Sequence, residues 1–218
     1  LLTFLSLSSP FFPSPLLPQS HSNTRLAKLD APESPFTAII LAHAGLVRIN
    51  LGHRSTSLID PPTLHYAVGQ GALGIETRSL DPEVAFVVKD IGHWQTEWRT
   101  AAERGCLRKL EGGCSVPVGV ESSLEVEKDE GPESGEGGRK GKLSLRGTVT
   151  SLDGSEHVVH GEVDVEVGSF AECERLGTKV AEELIAKGAG KILIAIEEGK
   201  NQKGTVVGTE VLAAAPAH

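Results

Sequence analysis

Between Trp94 and Val120 the sequence changes period, and that change decides what the second half of the chain can fold into. Trp94, Trp98, Ala101 and Gly105 recur at helical spacing and share one stripe. The stripe runs into Leu110-Glu111-Gly112-Gly113-Cys114, where two glycines supply the expected helix terminator. Val116, Val118 and Val120 then alternate as strand residues do. Trp94 and Trp98 lie four apart, so their rings meet on one face, which reads as core packing rather than a ligand platform. Residues 121–142, rich in Glu, Gly, Ser and Lys, read as a solvated loop. Leu143, Leu145, Gly147 and Val149 restore period two, Asp153-Gly154 marks a turn, and His157 to Val165 returns as a further strand. Ser169-Phe170-Ala171-Glu172 is a capping box. It opens a helix whose stripe is Phe170, Cys173, Leu176, Val180 and Leu184, and which Gly188 closes. Ile192 to Ile196 is a last apolar run before a polar tail. From about Gly92 onward the pattern predicts an α+β domain: a three-stranded antiparallel sheet with helices on one side.

The first half reads as an α/β layer. Leu26 and Leu29 have helical spacing within Asn23–Asp30, and Ala38-Ile39-Ile40-Leu41-Ala42 suits a strand buried on both faces. Leu46, Ile49 and Leu51 line a short helix, and Asp60-Pro61-Pro62 ends the unit. Asp81-Pro82 is a strong helix start, with Val84, Val87, Val88 and Ile91 on one face and Gly92 as its break. Residues 1–22 are apolar but broken by Pro10, Pro13, Pro15 and Pro18, and they read as a disordered or non-native leader. The chain contains no methionine, which points to a fragment or a mis-assigned gene start.

Composition narrows the function classes. A formal charge of −8 and no run of Lys or Arg argue against nucleic acid. The leader is too short and too proline-rich for a membrane helix. Three cysteines (Cys106, Cys114 and Cys173) show no C-x-x-C spacing, so a disulfide framework or zinc site is not expected, and a reducing compartment fits. Gly69, Gly71 and Gly74 have G-x-G-x-x-G spacing, but Ile75 and Thr77 continue as strand where a dinucleotide site needs a helix. The segment reads instead as a glycine-rich strand or hinge. His157 and His160, three apart on a strand, point to opposite faces and do not suggest a metal. A lone cysteine is ordinarily a small buried hydrophobe. Cys173 fits that description, whereas Cys114 follows two glycines that leave room beside its sulfur.

Five blocks, in order, resemble hydroxymethylbilane synthase, also called porphobilinogen deaminase. They are NTRLAKLD, AIILAHAGLVR, YAVGQGALGIE, AER followed by LRKLEGGCSVPVG, and SLDGS. The resemblance is dense from residue 23 to about 120 and looser beyond. It implies a three-domain transferase of haem and tetrapyrrole biosynthesis, cytoplasmic and monomeric. Such an enzyme joins four porphobilinogen molecules into linear hydroxymethylbilane with loss of ammonia. It implies a dipyrromethane cofactor on which the oligopyrrole grows, held by a thioether to Cys114. Arg25 and Arg48 would pair with the acetate and propionate groups of the pyrroles, and Ala42, Gln70 and Gly71 would contact the cofactor. Arg54, Arg78, Arg99 and Arg104 are left as structural.

The same comparison divides the chain. Residues 23–64 would be the remnant of the second α/β domain, and 65–91 a strand and helix returning to a missing first domain. Residues 92–218 would be the C-terminal cofactor-attachment domain. The family's catalytic aspartate matches no residue here, so no catalytic residue is assigned and turnover by this chain alone is not expected. His43 stands where the family has a small residue, and Gly105-Cys106 replaces a more apolar pair. The rival reading is an inactive remnant or binding module that keeps only the C-terminal fold.

Overall fold

The computed structural model describes residues 2–6, 22–110, 116–128 and 138–199. The chain divides into two compact units, Leu1–Leu64 and His65–His218.

In the first unit, β1 (Leu2–Ser6) is the central strand of an antiparallel sheet, flanked by β2 (Ala38–Ala42) and β3 (Ser57–Ile59) in the order β2-β1-β3. Leu2 pairs with Ala42 on one side and Ile59 on the other. This corrects the leader expectation for residues 2–6: both neighbouring strands take their backbone partners there. Helix α1 (Ser22–Asp30) and helix α2 (His43–Arg48) supply Leu26, Leu29 and Leu46, which bury with Leu41 against Phe36, Ile39 and Leu51. The spacing had indicated these leucines. It had also indicated a strand buried on both faces, and here the structure differs, since Ile40 is exposed and only Leu41 of β2 is fully buried. Ile49 is also exposed, because α2 stops at Arg48. Arg54 grips both carboxylate oxygens of Asp30, at 2.6 and 3.1 Å, in the structural role expected of it.

The second unit is built on helix α4 (Trp94–Lys109), helix α5 (Phe170–Leu184) and an antiparallel sheet. Its strands are β4 (Val118–Lys128), β5 (Lys140–Thr150) and β6 (His157–Val167), in the order β4-β5-β6. Val120, Leu143, Leu145 and Val149 are buried in the sheet, and Trp98, Ala101, Ala102 and Cys106 on α4. Cys173, Leu176, Gly177, Val180, Ala181 and Leu184 are the buried positions of α5. The two tryptophans meet edge to face with centroids 4.8 Å apart. Gly147 lies under this packing, where an added Cβ would be 3.0 Å from a Leu184 methyl.

The capping expectations hold. Asp81 Oδ1 accepts from Val84 N at the start of helix α3 (Pro82–Val88), and Ser169 Oγ accepts from Glu172 N. Glu172 reaches back one residue further than the ideal box, accepting from Gly168 N at 2.6 Å. After α5, the π-helical turn Ile185–Ala189 contains Gly188 at φ 111°, and residues 190–199 form helix α6, burying Ile192 and Ile196.

Further expectations are corrected here. β4 runs on to Lys128, well inside the stretch read as loop, and β5 already begins at Lys140. A strand with one solvated face needs apolar residues only at alternate positions, so its glutamates and serines did not exclude it. Residues 129–137 lie outside the described residues. Residues 72–78 form no strand, and Leu73 and Ile75 are exposed. None of the apolar residues on α3 is buried, and Phe170 is exposed at the first turn of α5. The division at Leu64/His65 puts residues 65–91 in the same compact unit as the residues that follow, and residues 65–72 attach to that unit's own elements. Tyr66 and Val120 exchange both backbone hydrogen bonds, at 2.8 and 2.9 Å.

The β5–β6 turn carries a pH dependence. Asp153 accepts from the Ser151 hydroxyl, from the Ser155 backbone N–H and from the Ser155 hydroxyl, which together pull its carboxyl down to about 2. A carboxylate favoured by folding stabilises the turn above its unfolded value of about 3.9. That contribution is lost as the pH falls from there through about 2. The Ser155 amide resonance should therefore titrate with a midpoint near 2, and an Asp153→Asn chain should show no such transition.

Candidate functional site

The residues expected to hold a cofactor fall on both units. Ala42 and Arg48 bracket α2: Ala42 is its N-cap, in extended conformation, and Arg48 is its last residue. Both are exposed. Arg25 lies on α1, one residue before the buried Leu26. Its Nε is buried and has no hydrogen-bond partner among the described residues. A guanidinium N–H withdrawn from water without an acceptor is costly, so this atom is suited to an incoming carboxylate.

Gln70 and Gly71 sit in a turn of the second unit. Gly69 has φ 69° and Gly71 φ 83°, left-handed values that glycine adopts without steric cost. An added Cβ would meet nothing within 4 Å at either position, so the turn presents open backbone on that side. The turn closes on itself, with Gln70 N donating to Ala67 O, Ala72 N to Gly69 O, and Ala67 N to Gln70 Oε1. Gly69 to Ala72 face Thr96, Arg99, Thr100 and Glu103 of α4 across a cleft of about 220 Å³.

The floor of that cleft is a polar relay. Glu103 is 7% exposed. Its Oε2 accepts from Gly69 N at 2.7 Å and its Oε1 from the Ser122 hydroxyl at 2.5 Å. Arg99 donates to Ser122 Oγ at 3.1 Å and to Ser122 O at 2.8 Å. Arg99 thus ties α4 to β4. In the sequence Glu103 stands out only by its place in the AER block. Its hydrogen-bond partners lie 34 and 19 residues away in sequence, so no local signal marked it.

The thiols divide in a useful way. Cys106 and Cys173 are fully buried, and burial pushes both thiols up to about 12. For Cys173 the nearby Glu172 charge adds to the shift. The thiolate is the nucleophile, so neither is reactive near neutral pH. Cys114 lies outside the described residues. The ring of His160 is held between Glu162 and Lys187, at 3.3 and 2.8 Å.

The matched regions cover both units. Residues 19–85 match the model described as "Porphobilinogen deaminase, dipyromethane cofactor binding domain", and residues 98–186 match "Porphobilinogen deaminase, C-terminal domain". The first region contains Arg25, Ala42, Arg48, Gln70 and Gly71, and the second contains Cys114 and Glu103. Porphobilinogen deaminase of Schizosaccharomyces pombe is 40% identical over 170 residues, 78% of this chain and 48% of the relative. That of Yarrowia lipolytica is 43% identical over 173 residues, covering 79% and 47%. That of Synechococcus elongatus is 43% identical over 171 residues, covering 78% and 47%. Both matched models describe domains of one family. The chain belongs to the porphobilinogen deaminase family. It spans about half the length of the curated relatives it matches. Among the described residues, no helix is long and apolar enough to cross a membrane.

Proposed function

We propose that this chain holds the dipyrromethane cofactor of a hydroxymethylbilane synthase, through a thioether to Cys114. In this reading it serves the stepwise condensation of four porphobilinogen molecules with release of ammonia. The observation that carries the proposal is the state of the thiols. Two of the three are buried, with their thiolates strongly disfavoured, which leaves Cys114 as the candidate nucleophile. Free buried thiols also agree with a reducing, cytoplasmic setting.

When bound, the cofactor supplies the primer to which pyrrole units are added. The chain's own residues hold and orient. Arg25 and Arg48 neutralise acetate and propionate side groups, for which a guanidinium fork is matched in shape and charge. The unpartnered Arg25 Nε is suited to that role. Ala42 offers extended backbone at the start of α2, and Gln70 and Gly71 offer a turn whose glycines leave space for a planar ring. No residue of this chain is assigned the general acid–base role.

The holding role has a direct test with a preformed linear tetrapyrrole carrying its eight carboxylates. Arg48→Ala should weaken binding to the 218-residue chain by about tenfold or more, the typical cost of one charged hydrogen bond. Arg104→Ala, at an exposed position of α4, should leave the affinity unchanged. Equal affinity in wild type and Arg48→Ala, measured by calorimetry, would remove Arg48 from the site.

A further inference from the structure

Among the described residues, Glu103 is the one buried carboxylate of the second unit, and its two oxygens face different elements. One accepts from the backbone of the Gly69 turn and the other from Ser122 on β4. We propose that Glu103 is a positioning residue, which sets the conformation of Gly69-Gln70-Gly71 and so presents that turn to the cofactor. The proposal rests on the reading of Gln70 and Gly71 as cofactor contacts.

Three observations support it. First, the turn is intrinsically loose. Two of its residues are glycines at positive φ, free of contact on the side a Cβ would occupy, and glycine has more conformational freedom to lose than any other residue. Second, its internal bonds run only between neighbours: Gln70 to Ala67 and Ala72 to Gly69. These close the turn but do not fix where it sits. The Gly69 N–H to Glu103 bond, which spans 34 residues, ties the turn to α4. Third, the carboxylate is itself held. Ser122 donates to its other oxygen, and Ser122 is in turn held by two donations from Arg99, so the acceptor is aimed before any ligand arrives. Prior alignment of a contacting backbone lowers the ordering cost of binding.

The relay also accounts for a serine at an inward position of β4. Ser122 pairs with Leu145 in register and is buried where the neighbouring inward residues Val120 and Leu124 are apolar. A buried hydroxyl is tolerated when its hydrogen bonds are made. Here it accepts from Arg99 and donates to Glu103.

The experiment compares wild type, Glu103→Ala, Glu103→Gln and Gln70→Ala in the 218-residue chain. It reads amide hydrogen exchange at single residues and affinity for the preformed linear tetrapyrrole. In Glu103→Ala, exchange at Gly69 should rise about tenfold or more while the β5 amides stay as in wild type, and affinity should fall about tenfold. Glu103→Gln keeps an acceptor for Gly69 and should bring both readouts to within about threefold of wild type. A general packing role would not give that rescue together with a change confined to the turn. Unchanged exchange at Gly69 in Glu103→Ala overturns the proposal. If Glu103→Ala does not fold, Ser122→Ala takes its place. It frees the carboxylate and should speed Gly69 exchange about threefold, and no change there overturns the proposal equally. Gln70→Ala separates the two readings. If it leaves affinity unchanged, the cofactor-contact reading fails, while the Gly69 exchange result still decides whether Glu103 fixes the turn.

Discussion

Gly177→Ala should destabilise the second unit by about 3 kcal/mol or more, although alanine is the better helix former. The reason is the crossing of α4 and α5. A Cβ at Gly177 would overlap the Ala102 carbonyl oxygen and come within 2.8 Å of the Cys106 nitrogen. Both are helix backbone atoms, so no side chain can turn aside and the helices themselves must part. Gly105 makes the reciprocal approach from α4, its face lying against the Glu174 carbonyl. Parting the helices would loosen Trp98, Cys106, Cys173 and Val180 together, all fully or almost fully buried. Domains of this size have total stabilities of roughly 5–15 kcal/mol, so a loss of 3 is a large fraction. Gly190→Ala supplies the contrast. Its backbone is helical, at φ −57° and ψ −35°, and the nearest atom to an added Cβ is 3.6 Å away. That change should be neutral or stabilise by up to about 1 kcal/mol. Urea unfolding followed by far-UV circular dichroism measures both. A Gly177→Ala chain as stable as wild type would contradict the packing described for α4 and α5.

The sequence made most of this second unit legible because its signals are local. The Trp94–Gly105 stripe, the Asp81 cap and the Ser169–Glu172 box each depend on residues within one or two turns of one another. What it hid depends on distant partners. The strand role of Leu2–Ser6 comes from pairing with Ala38–Ala42 and Ser57–Ile59, some 35 to 55 residues away. The Asp153–Ser155 turn was legible, but the continuation of β4 through Ser122, Glu125 and Lys128 was not. Those residues match a solvated loop in composition, and only their pairing with β5 distinguishes them. Glu103 and Arg99 are the sharpest case. Four apart on one helix, each is turned to Ser122 on a strand about twenty residues further along, a partner that helical spacing does not show. The candidate cofactor residues were found by family resemblance and not by pattern. Arg25 and Arg48 have the composition and spacing of ordinary surface arginines.

Cys114→Ala should abolish covalent pyrrole attachment altogether, the largest functional effect expected of any single change in this chain. A thioether needs one particular sulfur, so loss of that atom leaves no partial activity to measure. Buried Cys106 and Cys173 cannot substitute, because each would have to ionise in the core against the burial that pushes its thiol to about 12. Cys106 Sγ lies only 3.4 Å from where a Cβ on Gly147 would be, so a pyrrole group there would have to displace the centre of the sheet. Alkylation should show the same order without any cofactor. Cys106 and Cys173 should resist iodoacetamide at pH 8 in the native chain and react once urea unfolds it.

The decisive measurement fuses the chain in cis to the N-terminal half of the Schizosaccharomyces pombe relative, supplies porphobilinogen or preformed tetrapyrrole, and maps the product by intact mass and peptide sequencing. The expected result is a mass increase of two linked pyrrole units on the peptide containing Cys114, with Cys106 and Cys173 unmodified and no adduct in Cys114→Ala. An adduct on Cys106 or Cys173, or full activity in Cys114→Ala, would contradict it.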